Sequence, residues 1–223
     1  MGKPWLVFGG WAISPEILKP LFGDESFYVD INKIMPLLFD GGELNLNWTG
    51  IIKKMNECLA IDVAGIVGWS TGAIIACALT QYVTVKRLVL FSATPSFCRR
   101  EGFKYGMRAT VIRSMISKLQ EKNDGVVKDF LIQCGLNDDE TKNSRYDDQT
   151  LIKGLMFLEQ VNLIGALKKL ECACLVIHGR DDKIIPSHAG ETLAGMIGAE
   201  CKLVDGGHAF FANRVDETKR MIG

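Results

Sequence analysis

Short apolar runs alternate along the chain with longer stretches that have helical periodicity. The runs predict six strands, at residues 4–8, 27–30, 64–69, 87–91, 174–177 and 201–204. Helical patterns at 49–58 and 71–82 separate some of these strands. Strands that are almost continuously apolar are typical of a parallel sheet covered on both faces. The pattern therefore predicts an α/β fold, with a mostly parallel sheet and helices on both of its faces.

One interval breaks this alternation, because residues 94–171 contain no convincing strand. Helical patterns occur there at 101–119, 124–135 and 147–169, around the polar stretch GLNDDETKNSRYDD. Such an interval is too long for a simple crossover between strands. We predict a single domain over residues 1–223 with a helical lid, about residues 98–170, inserted between core strands. The lid should lie at the carboxyl edge of the sheet, where open α/β sheets bind ligands.

Composition and charge mainly argue against certain classes of partner, location and cofactor. Lys plus Arg and Asp plus Glu number 26 each, so the bulk charge predicts neither a nucleic-acid nor a membrane partner. The amino terminus lacks a signal-peptide pattern, and no apolar run reaches 18 residues, so we expect a cytoplasmic protein. The seven cysteines include Cys172-Ala173-Cys174, and free thiols are the interpretation we favour over disulfides or metal ligands. We predict no metal and no cofactor.

Ser70 lies between two glycines in the stretch Gly68-Trp69-Ser70-Thr71-Gly72, where the strand at 64–69 meets the helix at 71–82. A tight strand-to-helix turn needs very small residues two positions before and after the serine, because larger side chains would clash. Such a turn lifts the hydroxyl above the sheet and directs it at a helix amino terminus. Ser70 is therefore predicted to be a nucleophile.

A serine hydroxyl needs a base, and the chain has three histidines. His208 follows the last strand in a glycine-flanked loop, from which a base can reach a serine at the same sheet edge. His178 ends the fifth strand and is more typical of a packed core histidine. His188 has polar neighbours on a predicted helix and is expected to be solvated. We therefore predict that His208 is the base.

The base needs a carboxylate that orients it. Asp181 and Asp182 compete for this role after the fifth strand, and Asp205 is a third possibility. The segment GRDDKIIP fits the recurring form G-x-x-D-x-[IV]-[IV]-P, which favours Asp182. The order serine, aspartate, histidine is the one used by α/β-hydrolases.

A tetrahedral intermediate also needs two N–H donors for its oxyanion. The amide of Thr71, directly after the nucleophile, is the first candidate. The second comes from the loop FGGWAIS after the first strand, where the Trp11 amide is the best placed. The Trp11 indole is also a candidate wall for the acyl pocket.

Together these segments resemble the α/β-hydrolase superfamily, and more closely the pimeloyl-[acyl-carrier-protein] methyl ester carboxylesterases. The resemblance rests on Gly10-Trp11, the Gly-Trp-Ser-x-Gly elbow at 68–72, SATPSFCRREG, GLMFLEQVNLIGALKKL and His208-Ala209-Phe210-Phe211. The chain departs from that family at Gly9, where a histidine is usual, and at Ala73, where a second glycine is usual. The resemblance implies the α/β-hydrolase fold and ester hydrolysis without a cofactor.

The lid carries a charge pattern of its own. Basic residues predominate at 99–122 and acidic residues at 124–148. If residues 101–119 form a helix that continues from Arg100, then Arg100, Lys104 and Arg108 share one face. A solvated helix face is the simpler interpretation. The resemblance implies that these cations bind an acidic acyl carrier protein. It also implies that Phe130 and Leu131 of the stretch DFLIQC line an acyl channel, although ordinary helix packing is the alternative.

The function predicted from the sequence is a serine carboxylesterase that works through an acyl-enzyme intermediate. The resemblance implies the methyl ester of pimeloyl-[acyl-carrier protein], in biotin synthesis, as its substrate. The same triad also permits a thioesterase, a C–C bond hydrolase or a menaquinone-pathway synthase. A further alternative is a receptor that uses a hydrolase pocket to bind a small ligand.

Overall fold

The computed structural model describes residues 3–40, 43–44, 48, 50–53, 62–122, 125–137, 141 and 144–223. Six strands form one sheet in the order β2-β1-β5-β6-β7-β8, and every neighbouring pair is parallel. Their bounds are β1 Trp5–Phe8, β2 Phe27–Val29, β5 Gly65–Trp69, β6 Arg87–Phe91, β7 Ala173–Gly179 and β8 Glu200–Val204. A separate antiparallel pair joins β3 (Phe39–Asp40) to β4 (Glu43–Leu44).

Helices connect the strands and pack around the sheet. Their bounds are α1 Lys19–Phe22, α2 Ile31–Ile34, α3 Thr71–Leu79, α4 Ala109–Gln120, α5 Gly125–Cys134, α6 Asp148–Gln160, α7 Ser187–Ile197 and α8 Val215–Ile222. Short 3-10 helices lie at Pro15–Leu18, Met35–Leu38 and Phe210–Asn213. From β1 the chain moves to one edge of the sheet, and from β5 onwards it moves to the other. Because crossovers between parallel strands are right-handed, α1 and α3 lie on opposite faces.

The six predicted strands are confirmed, with bounds that differ by at most two residues at either end. Strand β5 is completely buried, as are most residues of β1 and β6, which explains their unbroken apolar sequence. Helix α3 is also buried along its whole length. The β3–β4 pair was not predicted, since two-residue strands leave no periodic signal. The predicted helix at 49–58 lies mostly outside the described residues, and residues 50–53 are helical.

The three helices of the predicted lid are present as α4, α5 and α6, and α4 packs against α6. The predicted helix at 101–119 was wrong in its first half. Residues 98–107 form a tight turn instead, in which Arg100 and Phe103 exchange backbone hydrogen bonds of 3.0 and 2.9 Å. A Cβ at Gly106 would lie 2.3 Å from the Cys98 carbonyl carbon, so this turn closes only around a glycine. The division of the chain into one domain with a lid at about 98–170 remains a prediction.

The cysteines, the possible metal ligands and the apolar helices were also subjects of prediction from the sequence. The six cysteines within the described ranges are free thiols, and the sulfur atoms of Cys172 and Cys174 lie 3.4 Å apart. No cluster of three His, Cys, Asp or Glu side chains able to hold a metal ion occurs among the described residues. No helix in the described part of the chain is long and apolar enough to cross a bilayer.

The close approach of α3 to the end of β1 gives a test of this packing. A Cβ at Gly72 would lie 2.2 Å from the Gly9 carbonyl oxygen and 2.5 Å from that of Phe8. Both are backbone atoms that no side-chain rotation can move, so Gly72→Ala should lower the free energy of unfolding by about 1–3 kcal/mol or more. Urea denaturation followed by circular dichroism measures this change.

Gly195→Ala is the matched control for this substitution. Gly195 lies in the exposed part of α7, and a Cβ there meets nothing within 4 Å. The same substitution should therefore stabilise the protein by up to about 1 kcal/mol through helix propensity. Equal effects of the two substitutions would contradict the close approach of α3 to β1.

Candidate active site

Ser70 occupies a strained turn between β5 and α3. Its backbone has φ 57° and ψ −118°, a region that residues other than glycine rarely adopt. The turn is held from below by a 3.0 Å hydrogen bond from the Ser70 amide to the Phe91 carbonyl. The Ser70 carbonyl accepts the amides of Ala73 and Ile74 and so begins the helix. The serine side chain is thereby held at the carboxyl ends of the strands, where the strand order reverses between β1 and β5.

The flanking glycines make this turn sterically possible. A Cβ at Gly68 would lie 2.5 Å from the Ala73 Cα, and Gly72 leaves no room beside the end of β1. Gly10 also lies beside the turn, because its Cβ would be 3.6 Å from the Ser70 Cβ. The predicted reason for a glycine on each side of the serine therefore agrees with the geometry.

Three side chains from different loops form one chain of hydrogen bonds. The His208 Nε2 lies 2.9 Å from the Ser70 Oγ, and the His208 Nδ1 lies 2.8 Å from the Asp182 Oδ2. Ser70 is 4% exposed, whereas the side chains of His208 and Asp182 are completely buried. The structure thus brings together the nucleophile, base and acid predicted from the sequence.

The Asp182 carboxylate accepts two backbone hydrogen bonds as well. The amides of Ile184 and Ile185 donate to its Oδ1 at 2.8 and 2.9 Å. Burial acts to raise the pKa of this carboxyl, but the neighbouring His208 and His178 outweigh burial and hold the pKa well below its usual range. Asp182 is therefore ionised next to the base at neutral pH.

The competing candidates for base and acid are placed elsewhere. Asp181 and Asp205 are exposed, and Asp205 is paired with Arg180 at 3.7 Å. His188 is exposed on α7 and stacks on Tyr105 with ring centroids 5.3 Å apart. His178 is completely buried, as expected for a core histidine, but it also contacts Asp182.

The loop that carries His208 is fixed through its backbone. The carbonyl of His208 accepts the Trp69 indole N–H at 3.0 Å and the Ser92 hydroxyl at 2.8 Å. The Trp69 ring also packs edge-on against Phe211, with centroids 5.1 Å apart. No role for Ser92 was predicted from the sequence. The one feature of the sequence that points to Ser92 is its position as a polar residue directly after a buried strand.

The loop after β1 is held beside Ser70 by Asn32, which is buried. The Asn32 side chain accepts the Ala12 amide at 3.0 Å and donates to the carbonyls of Gly10 and Ile13 at 3.3 and 3.4 Å. Ala12 adopts a positive φ of 59°, which bends the loop around Trp11. The role of Asn32 was not predicted from the sequence either, because it depends on hydrogen bonds to a loop that is distant in sequence.

Thr71 is the first residue of α3, directly after the serine. Among the described residues, neither the Thr71 amide nor the Trp11 amide has a backbone acceptor. A free N–H at a helix amino terminus favours nearby negative charge. Both amides therefore remain candidates for binding an oxyanion.

An apolar cavity of about 180 Å³ is lined by side chains of α4, α5 and α6, and by Trp11 of the loop after β1, whereas Ser70, Asp182 and His208 do not line it. Trp11 and Phe130 form one wall of it and contact each other edge-on, with ring centroids 4.9 Å apart. The Trp11 indole N–H donates to the Leu151 carbonyl of α6 at 2.9 Å. Ile184, next to Asp182 in the loop after β7, also lines the cavity, whereas Leu131 does not. Leu131 is instead packed against the core, which is the alternative considered for it.

A second depression, the cationic groove, lies at the edge of the lid and encloses about 310 Å³. Its charged lining consists of Arg99, Lys104, Arg108 and Lys183. Within the described chain, none of these four side chains lies within 4 Å of a carboxylate. The groove shares three lining residues with the apolar cavity, namely Met107, Val111 and Ile184.

The predicted helical face of Arg100, Lys104 and Arg108 was wrong, because residues 98–107 are a turn and Arg108 only precedes α4. Lys104 and Arg108 are exposed and share the cationic groove. Arg100 is half-buried and donates to the carbonyls of Glu159 and Val161 at 2.5 and 3.3 Å, so it fastens the end of α6 to the turn.

The fold and the buried serine–histidine–aspartate group define the class of protein. The structure superposes on an esterase from Exiguobacterium antarcticum with a TM-score of 0.80 and 19% identity, over 99% of this chain and 90% of that one. It superposes on MenH from S. aureus with a TM-score of 0.73 and 18% identity, over 100% and 92% of the two chains. The chain has the α/β-hydrolase fold, as predicted.

Similarity to curated proteins is more specific than the similarity in fold. The chain is 28% identical to the pimeloyl-[acyl-carrier protein] methyl ester esterase of Nitrosospira multiformis, over 66% of this chain and 61% of that protein. The matches span about three fifths of the length of such relatives. No family model matches the chain. The resemblance inferred from the sequence motifs is confirmed.

The buried Asp182 carboxylate predicts a pH-dependent stability. Asp182→Asn should lower the free energy of unfolding at pH 7 by about 2 kcal/mol, because at least one buried N–H loses its acceptor. The lowered pKa of Asp182 means that its stabilisation is complete above the unfolded-state pKa of about 3.9 and is lost as the pH falls further. The difference between wild type and variant should therefore narrow below about pH 4.

Denaturant unfolding of both proteins from pH 7 to pH 3 measures this difference. Asp181→Asn, one residue away but exposed, is the control and should change stability by less than about 0.5 kcal/mol. A wild-type advantage over Asp182→Asn that is constant down to pH 3 would contradict the ionised state assigned to this carboxylate.

Proposed function

We propose that this protein is a serine carboxylesterase that hydrolyses its substrate through an acyl-enzyme intermediate. The observation that carries the proposal is the chain of hydrogen bonds from Ser70 through His208 to Asp182, built on a strained serine turn. The names of the relatives in the comparisons, which are esterases, support the same reaction class.

Acylation begins when Ser70 attacks the ester carbonyl carbon. His208 Nε2 accepts the hydroxyl proton as the new C–O bond forms, and the resulting imidazolium is stabilised by the Asp182 carboxylate on its other nitrogen. Because both partners are buried, this charge interaction is stronger than it would be in water. The imidazolium then donates its proton to the leaving alcohol as the old C–O bond breaks.

The tetrahedral intermediate carries a negative charge on the former carbonyl oxygen. We assign the amides of Thr71 and Trp11 as its donors, one from the amino terminus of α3 and one from the loop that Asn32 holds. These donors are fixed before the reaction, so little reorganisation is needed when the charge develops. In the second half-reaction a water molecule, deprotonated by His208, attacks the acyl carbon and releases the acid and Ser70.

For the substrate, we propose an ester with an apolar acyl chain and an anionic extension. The acyl chain fits the apolar cavity beside Trp11 and Phe130, and the cationic groove next to it favours a negatively charged group. A pimeloyl-[acyl-carrier protein] methyl ester combines both features, and it is the substrate named for the relatives. In this proposal Lys104 and Arg108, with Arg99 and Lys183, attract the carrier, while Arg100 has a structural role.

The nucleophile can be tested with simple esters. Ser70→Ala should reduce the kcat for p-nitrophenyl acetate or butyrate by about 10⁶-fold, to the background rate, because no other group can form the acyl-enzyme. Release of p-nitrophenol measures the rate, and labelling with a fluorophosphonate probe should be lost in parallel.

Ser114→Ala is the matched control, since Ser114 is exposed on α4, and it should keep both activity and labelling. Persistent hydrolysis by Ser70→Ala would show that the nucleophile is misassigned. An unlabelled and inactive wild type would favour the receptor interpretation. A preference for acyl-CoA or diketone substrates in an ester panel would favour a different hydrolase.

The carrier can be tested by reversing charges in the cationic groove. The double substitution Lys104→Glu/Arg108→Glu should lower kcat/KM for the carrier-bound methyl ester about 10- to 100-fold at low salt, through lost steering of an acidic carrier. Hydrolysis of p-nitrophenyl butyrate should be unaffected, because that ester has no anionic extension. The difference in kcat/KM between the wild type and the double variant should become smaller near 1 M salt, where the Debye length is about 3 Å.

Lys128→Glu, on the exposed side of α5 and outside the groove, is the control for this experiment. An equal loss in the control would assign the effect to net charge alone. Complementation of a biotin auxotroph that lacks its methyl esterase tests the substrate in the cell. Failure to grow, with Ser70→Ala as the negative control, would argue against this substrate and leave the esterase proposal standing.

A further inference from the structure

A second histidine contacts the same carboxylate oxygen as His208. The Nε2 of His178 lies 3.1 Å from the Asp182 Oδ2 and 2.8 Å from the Ile185 carbonyl oxygen. Its ring is completely buried at the end of β7. The reaction proposed above assigns this histidine no role.

The contacts of the His178 ring define its tautomer. A carbonyl oxygen can only accept a hydrogen bond, so Nε2 must carry a proton, and Nε2 also lies close to the Asp182 Oδ2. The Nδ1 atom is buried and has no partner in the described part of the chain. A proton on Nδ1 would therefore be a buried, unsatisfied donor, which is unfavourable. The neutral Nε2–H tautomer satisfies all the observed contacts.

Helix α7 is shaped to admit this ring. A Cβ at Gly190 would lie 2.3 Å from the His178 Nδ1, so only glycine leaves the space that the imidazole occupies. The ring is thus clamped between α7 and the loop that carries Asp182. A fixed donor of this kind defines the orientation of its acceptor.

The Asp182 carboxylate accepts three hydrogen bonds, and His178 approaches it as a fourth polar neighbour. Two backbone amides donate to Oδ1 and His208 bonds to Oδ2, while the His178 Nε2 lies 3.1 Å from the same Oδ2. We propose that His178 is a positioning residue, whose Nε2–H group, in polar contact with the Asp182 Oδ2, holds that oxygen towards His208 and limits how strongly it accepts from His208. This inference rests on the proposed esterase function, in which Asp182 orients and stabilises the base.

The titratable groups around this contact come from three elements. They are Asp182 in the loop after β7, His208 in the loop after β8 and the buried Cys134 thiol at the end of lid helix α5. Burial raises the pKa of that thiol, and the charge of Asp182 raises it further. Cys134 is therefore a neutral neighbour, and pH effects at this contact arise from the two histidines and the carboxylate.

Three substitutions at His178 distinguish a role in positioning Asp182 from a role in core packing alone. His178→Leu removes the donor, His178→Gln places an amide nitrogen near the position of Nε2, and His178→Asn places one near that of Nδ1. With p-nitrophenyl butyrate, we expect His178→Leu and His178→Asn to lose about 10- to 100-fold in kcat, the range for one hydrogen bond to a charged group. KM should stay within about twofold, and His178→Gln should recover most of kcat.

Two further measurements would give wild-type values in the His178 variants if His178 contributed only to core packing. Without the shared donor, the carboxylate accepts more strongly from the His208 imidazolium, so the acid limb of kcat/KM should move to higher pH in the leucine and asparagine variants. The NMR signal of the proton between His208 and Asp182 should move to lower field in the same variants. Both readouts should remain at their wild-type values in His178→Gln.

His188→Leu is the control, because it removes an exposed histidine from α7 and should change neither readout. Wild-type kcat, pH limb and NMR signal in His178→Leu and His178→Asn, with only a lower melting temperature, would overturn the proposal. If these variants do not fold, ¹⁵N NMR of the wild-type protein decides the question, since a protonated Nδ1 on His178 contradicts it. Failure of the esterase proposal would appear separately, as an inactive wild type whose NMR signals still respond to His178.

Discussion

The strained backbone at Ser70 is the constraint on which the arrangement of the site depends. A positive φ at a residue with a side chain is unfavourable by about 1–3 kcal/mol, and it persists only where the surroundings leave no alternative. Here the alternative is removed by close contact of α3 with the end of β1, which Gly72 permits, and by the hydrogen bond from Ser70 to β6. These same contacts bring the loop at Gly10 beside the serine, so the turn and the candidate oxyanion donors are positioned together.

Two helices of the predicted lid, α5 and α6, form hydrogen bonds directly with the loops of the site. The Cys134 carbonyl, at the end of α5, accepts the Ala209 amide at 3.2 Å, next to His208. The Leu151 carbonyl of α6 accepts the Trp11 indole. The first bond joins α5 to the loop of the proposed base, His208, and the second joins α6 to Trp11, whose amide is a proposed oxyanion donor. Movement of either helix would therefore alter the geometry of the base or of the oxyanion loop, and not only access to the cavity.

The sequence was informative where local patterns determine the structure. Buried strands and the spacing of Gly68, Ser70 and Gly72 depend on near neighbours, so they were predicted correctly. Predictions failed where distant residues decide the conformation. Residues 98–107 have helical periodicity, but they form a turn because Arg100 is drawn to the end of α6 and Gly106 allows close backbone contact. Asn32 and Ser92 were missed for the same reason, since each bonds to a loop far away in sequence.

In the proposed function, the apolar cavity and the cationic groove contribute two different kinds of recognition. The apolar cavity is lined mainly by aromatic and aliphatic side chains, so in the proposed function it selects by shape and by the free energy of burying a hydrocarbon chain. The cationic groove is open, so its charges are screened by salt and act mainly on the rate and selectivity of association. Ile184 borders both and lies two residues from Asp182. Ile184 also donates its amide to the Asp182 carboxylate, so the residue that borders both depressions is part of the loop that fixes this carboxylate.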